Sequence, residues 1–267
     1  MNVRENTGKV VLAGAGPGDP ELITLKLLQR LAVADVIVCD RLVNPAIIEA
    51  HAKKDVQVIL AGKQGYNADS FTQQEVSLLI VEHALQGKNV LRLKGGDIAF
   101  FSNVLDELIA LEQNNIPYEI IPGITAASGA SAFAGIPLTA RGFSQAVQFI
   151  TYNPNSYYSP ERWKELARSN DTLVFYMASR NIGGLAELLL RYSRKPQTAI
   201  AVIEQATTKY QKVHVSTLDQ CVKEFTDKNF ASPSLVIVGD VVNLHKKFNW
   251  FNNNEDSGTV FNELLSK

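Results

Sequence analysis

Residues 10–24 read VVLAGAGPGDPELIT. A valine-rich apolar run meets a turn holding Gly14, Gly16, Gly18, Pro17 and Pro20, and a helix-like segment follows. Glycines between a strand and a helix let main-chain atoms come close to something, either a ligand or another part of the same chain. This stretch therefore points to an α/β fold and raises the question of what approaches the turn.

Three answers stand side by side. A dinucleotide fold uses G-x-G-x-x-G and an acid about 20 residues on. Here the third glycine, Gly18, comes one position early, and Pro17 at the tip carries no N–H for a phosphate oxygen. Asp40, however, ends the next strand-like run, near where a ribose-binding acid belongs. G-x-x-x-x-G-K is absent, which removes a nucleotide P-loop. The second answer is a tight turn with no ligand. The third is a ligand without phosphate, for which S-adenosylmethionine is the natural example.

Outward from this stretch, apolar runs at Val10–Ala15, Val36–Cys39, Val56–Ala61, Val90–Leu93 and Tyr118–Ile121 alternate with helical patterns at Pro20–Ala34, Thr72–Leu85 and Phe101–Asn114. The second of these opens with TQQE, a capping-box pattern. Such alternation predicts a mostly parallel sheet covered on both faces. AGIPLTARGFSQ, from Ala134, is dense in turn formers and predicts a linker. Beyond it, strands near Ala146–Thr151, Thr172–Met177, Thr198–Ile203, Lys212–Ser216 and Ser234–Val238 alternate with helices at Pro160–Ser169, Gly183–Tyr192 and Leu218–Asp227. The expectation is two α/β domains, 1–135 and 136–251, with a flexible tail over 252–267.

Composition narrows the function classes. A formal charge of −1 over 267 residues gives no global field for nucleic acid or an anionic membrane. A polyanionic substrate would need cations gathered locally. Cys39 and Cys221 lack metal-site spacing and suit reduced core thiols. His51, His83, His214 and His245 show no ligand spacing, so no metal is expected. No apolar run reaches the ~18 residues of a membrane span, and MNVRENTGK is no signal peptide, so the expected setting is the cytoplasm.

Seven motifs separate the three answers. Taken in order, GAGPGDPELITLK, CDRLV, AGK, RLKGGD, PGITAASGASAFAGIPLTARG, LVFYM and ATT resemble the tetrapyrrole methylase family, in its branch acting on uroporphyrinogen III, from about Lys9 to Phe251. The resemblance implies two α/β domains with S-adenosylmethionine in a cleft between them, a homodimer, and C-methylation of a reduced tetrapyrrole. For the cofactor it implies Pro17, Gly95, Gly96, Asp97, Phe100, Thr125, Ala126, Met177 and Ala206. It also implies Asp40 as proton acceptor and Lys63 as proton donor. Uroporphyrinogen III methylated at carbons 2 and 7 gives precorrin-2, on the way to sirohaem or cobalamin. That substrate carries eight carboxylates, and Arg41, Lys94, Arg141 and Arg180 lie within or beside the motifs as its expected partners, with Arg92 and Lys63 close by.

The sequence also departs from the family pattern. GGDIAFFSNVLDE stands at 95–107 where the family has GGDPFxFGRGGEE, so Ile98 replaces a proline, Asn103 an arginine, and Val104 and Leu105 a glycine pair. Ala140 takes a histidine position, and Ala206 a glycine position. These changes touch expected substrate contacts and leave a later corrinoid substrate open. An NAD(P)-dependent oxidoreductase and a non-catalytic tetrapyrrole- or nucleoside-binding protein are the competing readings from other classes.

Overall fold

A computed structural model describes residues 7–61, 71–153, 158–226, 228–251 and 261. The chain divides into two compact units, the first running to Thr125 and the second beginning at Ala126.

In the first unit the order is β1 (Val10–Gly14), α1 (Leu25–Leu31), β2 (Val36–Cys39), α2 (Pro45–His51), β3 (Gln57–Leu60), α3 (Gln73–Leu85), β4 (Val90–Lys94), α4 (Val104–Gln113) and β5 (Tyr118–Ile121). The strands form one sheet in the order β3-β2-β4-β1-β5, and every pairing is parallel. Alternation along the strands serves two faces, as a doubly covered parallel sheet requires. Val11, Ala13, Ile37, Leu91 and Leu93 pack with Leu27 and Leu31 of α1 and Ile47 and Ile48 of α2. Val10, Leu12, Val36, Val38 and Val90 pack on the other side with Val76 and Ile80 of α3 and Leu111 of α4.

Local chemistry sets the helix ends. Thr24 Oγ accepts from Leu27 N at 3.2 Å and starts α1, so the expected helix from Pro20 is a 3-10 turn over Pro20–Leu22 followed by a separate helix. Thr72 and Glu75 form the capping box read from the sequence. Helix α4 begins at Val104, later than the pattern suggests, because Phe101 and Asn103 sit at φ +52° and cannot join it.

The second unit contains α5 (Ala126–Ala134), β6 (Val147–Thr151), α6 (Pro160–Arg168), β7 (Thr172–Tyr176), α7 (Ile182–Arg191), β8 (Ala199–Glu204), β9 (Lys212–Thr217), α8 (Leu218–Phe225), β10 (Ser234–Val238) and α9 (His245–Phe248). Its sheet runs β6-β7-β10-β8-β9; β6 and β7 are parallel and the other pairs antiparallel. Helices α6, α7 and α8 cover one face through Trp163, Leu166, Leu185, Leu189 and Cys221. Helix α5 covers the other, with Ala127, Ala130 and Ala134 against Val174, Ala201 and Ile237. The small-residue helix thus belongs to the second sheet. The chain changes units ahead of it, about ten residues earlier than the expected boundary at 135. Of the tail at 252–267, only residue 261 lies among the described residues.

Cys39 and Cys221 are free and buried, and burial pushes each thiol up to about 12. Both behave as small apolar core side chains.

Candidate active site

In a parallel sheet, functional loops gather at the carboxyl ends of the strands. Here three such loops interlock through glycine. Gly16 N donates to Gly96 O at 3.0 Å and Gly96 N returns to Gly16 O at 2.7 Å, while Ala15 N donates to Lys94 O at 2.7 Å. A Cβ on Gly14 would lie 2.5 Å from Gly96 O, and one on Gly123 would lie 2.3 Å from the same oxygen. A Cβ on Gly95 would meet Leu42 Cβ and O at 2.9 Å. The loops after β1, β4 and β5 therefore touch backbone to backbone, and much of the glycine requirement is met inside the protein.

Asp97 locks the same junction. It is 7% exposed; Oδ1 accepts from Ala99 N at 2.8 Å and Oδ2 from Gly123 N at 2.7 Å. The resemblance implies Asp97 as a cofactor residue; the bonds that the structure gives this carboxylate hold the loops in place. Asn44 adds a tie from the loop after β2: Nδ2 donates to Gly18 O at 2.7 Å while Oδ1 caps α2 at Ala46 N. Pro17 is half-buried at the tip, Phe100 is 36% exposed, and Thr125 is half-buried where the first unit ends.

These bonds decide what the turn can hold. The amides of Ala15 and Gly16 are spent on the neighbouring loop, and Pro17 has none. The turn is therefore short of two of the donors that would cradle a pyrophosphate. A donor set thinned in this way favours a phosphate-free ligand over a dinucleotide.

Asp40 follows β2, with its N–H on Leu93 O at 3.0 Å. Its side chain is 29% exposed, and Oδ1 accepts from Arg92 Nη2 at 2.5 Å. Arg92 and Lys94 are 2% and 3% exposed, and both meet Glu107 Oε1, at 2.9 and 2.8 Å. This corrects the expectation that Lys94 is a substrate-binding cation. Leu91 and Leu93 face one layer of helices, so Arg92 and Lys94 face the other, where α4 supplies the counter-charge. Arg41, Arg141 and Arg180 are exposed, as a substrate-facing cation must be. Lys63 lies outside the described residues.

In the second unit, Met177 closes β7 at φ +59° and 61% exposure. Gln205 and Thr207 flank Ala206 with φ of +48° and +68°. Left-handed backbone at a methionine and at a β-branched threonine is costly and concentrates at functional sites. Ala206 is half-buried between them, and Ala126 opens α5, whose Ala127 N donates to Tyr176 Oη at 3.1 Å. Among the described residues no group of three His, Cys, Asp or Glu side chains is placed to hold a metal. No helix there is long and apolar enough to cross a membrane.

Comparison with known proteins bears on the same loops. The family model for tetrapyrrole (corrin/porphyrin) methylases matches residues 9–222. The chain belongs to this family. Among relatives of these tetrapyrrole methylases' kind, the siroheme synthase of Thioalkalivibrio sulfidiphilus is 42% identical over 251 residues, covering 94% of this chain and 51% of the relative. The chain spans about half the length of the curated relatives it matches. The crystal structure of uroporphyrin-III C-methyltransferase from Thermus thermophilus aligns with TM-score 0.74 and 32% identity, covering 90% of this chain and 96% of that one. A second structure of that methylase, in complex with S-adenyl homocysteine, aligns with TM-score 0.73 and 31% identity over 88% and 93% of the two chains.

Sequence reasoning missed three contributors to this site in the tetrapyrrole methylase chain: Glu107, Asn44, and the structural role of Gly123. Glu107 had a signal. Two cations alternating with leucines on a buried strand need a carboxylate on the helix above them.

Proposed function

We propose that this methylase transfers methyl groups from S-adenosylmethionine to carbons 2 and 7 of uroporphyrinogen III, giving precorrin-2 for sirohaem or cobalamin synthesis. The carrying observation is that the neighbouring loop takes the amides of Ala15 and Gly16 at the glycine turn, which suits a donor without phosphate. The similarity to the Thermus thermophilus enzyme supports the choice of substrate.

When bound, S-adenosylmethionine supplies a methyl carbon already activated by its sulfonium. The chain's own task is alignment and proton removal. Pro17, Gly95, Gly96, Phe100 and Thr125 from the first unit, and Ala126, Met177 and Ala206 from the second, are the proposed contacts. Asp97 acts behind them by holding the loop after β4 against Gly123. An electron-rich pyrrole carbon forms the new C–C bond as the C–S bond breaks, and the adduct then loses a proton. Asp40 is the proposed acceptor: Arg92 holds one carboxylate oxygen, and the side chain reaches solvent. Lys63 is the proposed donor. Arg41, Arg141 and Arg180 are proposed to pair with substrate carboxylates. A homodimer and a cytoplasmic setting complete the proposal; sedimentation and fractionation test them.

The experiment is incubation with uroporphyrinogen III and labelled S-adenosylmethionine, followed by product mass. The expected product carries two added methyl groups, and Asp40→Asn should lower the rate by about 10²–10⁴-fold. No mass gain would overturn the substrate. Such a result would favour a later corrinoid, consistent with the altered loop at 98–105 and its left-handed Phe101 and Asn103.

A further inference from the structure

Four charged side chains run in a line through the first unit. Lys94 Nζ donates to Glu107 Oε1 at 2.8 Å, and Arg92 Nε donates to the same oxygen at 2.9 Å. Arg92 Nη2 then donates to Asp40 Oδ1 at 2.5 Å, and Nη1 reaches the carbonyls of Val38 and Leu93, both at 3.3 Å. Every guanidinium nitrogen is engaged, so the plane of the fork is fixed and its outer edge points at Asp40.

Three of the four groups are inside the protein; only Asp40 opens to solvent. Burial alone would lower the basicity of Arg92, but the Asp40 and Glu107 carboxylates more than offset it and hold the guanidinium charged. Burying ions in this way is expensive, and apolar side chains of similar size often serve stability as well or better. Glu107 is also imperfectly satisfied, because among the described residues its buried Oε2 has no hydrogen-bond partner. A network that costs stability yet ends on one accessible carboxylate is explained by what it does to that carboxylate.

We propose that Glu107 is a positioning residue for the proton acceptor: through Arg92 it fixes the direction of the Asp40 carboxylate, and Lys94 holds Glu107 in turn. This rests on the reading of Asp40 as acceptor. Oδ1 is taken by Arg92, so the fixed fork decides where Oδ2 points when the methylated ring must lose its proton.

The test is a cycle of Asp40→Asn, Glu107→Gln and the double substitution in the full chain. Methylation of uroporphyrinogen III is followed together with calorimetric binding of S-adenosylhomocysteine. Glu107→Gln keeps an oxygen toward Arg92 and removes the charge that draws Arg92 and Lys94 together. It should lower kcat by about 10–100-fold, the scale of a misplaced reacting group. KM and S-adenosylhomocysteine affinity should stay within about twofold, and Asp40→Asn should lose nothing more when Glu107→Gln is added. A merely structural Glu107 would instead weaken binding and add its loss to that of Asp40→Asn. Unchanged kcat, or additive losses, overturns the proposal while leaving the methylase reading intact. Full activity in Asp40→Asn overturns the acceptor assignment itself and this proposal with it. Should Glu107→Gln fail to fold, Arg92→Lys carries the same test, since an ammonium cannot span both carboxylates. It should show the same kcat-only, non-additive loss, and full activity there refutes the proposal.

Discussion

Gly123→Ala probes the junction of the three loops most sharply. The new Cβ would lie 2.3 Å from Gly96 O and 2.8 Å from Gly14 C and O, where ordinary contact begins near 3.4 Å. The loop after β4 must therefore retreat by about 1 Å, an overpacking cost of about 1–3 kcal/mol. That movement pulls on the paired bonds between Gly16 and Gly96, at 3.0 and 2.7 Å, each contributing about 1 kcal/mol net. The expected destabilisation is about 3–5 kcal/mol. Gly142→Ala is the control: Gly142 has φ +84° but no atom within 4 Å of its would-be Cβ, so only backbone strain of about 1–2 kcal/mol applies. Thermal unfolding of each variant against the parent chain should separate them by about 5–10 °C, at about 2–4 °C per kcal/mol. Titration with S-adenosylhomocysteine should show weakened binding for Gly123→Ala alone. Equal unfolding and equal binding in the two variants would refute the backbone-interlock reasoning.

Two further outcomes follow from named contacts. Asp97→Asn places an amide NH₂ against either Ala99 N or Gly123 N, which lie 2.8 and 2.7 Å from the carboxylate oxygens. It should cost about 2–3 kcal/mol by denaturant titration and weaken S-adenosylhomocysteine binding as well. Hydrogen bonds from Arg30, Lys26 and Lys9 hold the Glu119 carboxyl far below its ordinary value. Its stabilisation is therefore complete above the ordinary carboxylate range near 4.5 and is lost as pH falls below it. Glu119→Gln should flatten the acid side of the stability–pH curve and leave the neutral side parallel to the parent; an unchanged acid slope would contradict this.

The fold was legible where a single local pattern acted alone. Strands β2, β5 and β10 have the limits their apolar runs suggest, because β-branched runs bounded by turn formers leave little else to build. Helix α2 went unread because PAIIEAH is only seven residues long, although Asn44 and Pro45 spell its start. The domain boundary was misplaced for a different reason. Turn formers after Ala134 suggested a linker, yet Ala127, Ala130 and Ala134 had already committed α5 to the second sheet. The cations at 92 and 94 illustrate the site. Their motif marked them as functional, but strand alternation turned both toward α4, where Glu107 supplies the counter-charge. Glycine showed the same ambiguity. Nothing in the sequence distinguishes a glycine that admits a ligand from Gly14 or Gly123, which admit Gly96.

The central claim is that the turn after β1 serves a ligand with no phosphate. Calorimetry of the wild-type chain with S-adenosylhomocysteine and, separately, with NAD⁺ and NADP⁺ tests it most directly. Saturable binding of S-adenosylhomocysteine and no heat from either dinucleotide are expected; binding of a dinucleotide but not of S-adenosylhomocysteine would refute a phosphate-free site.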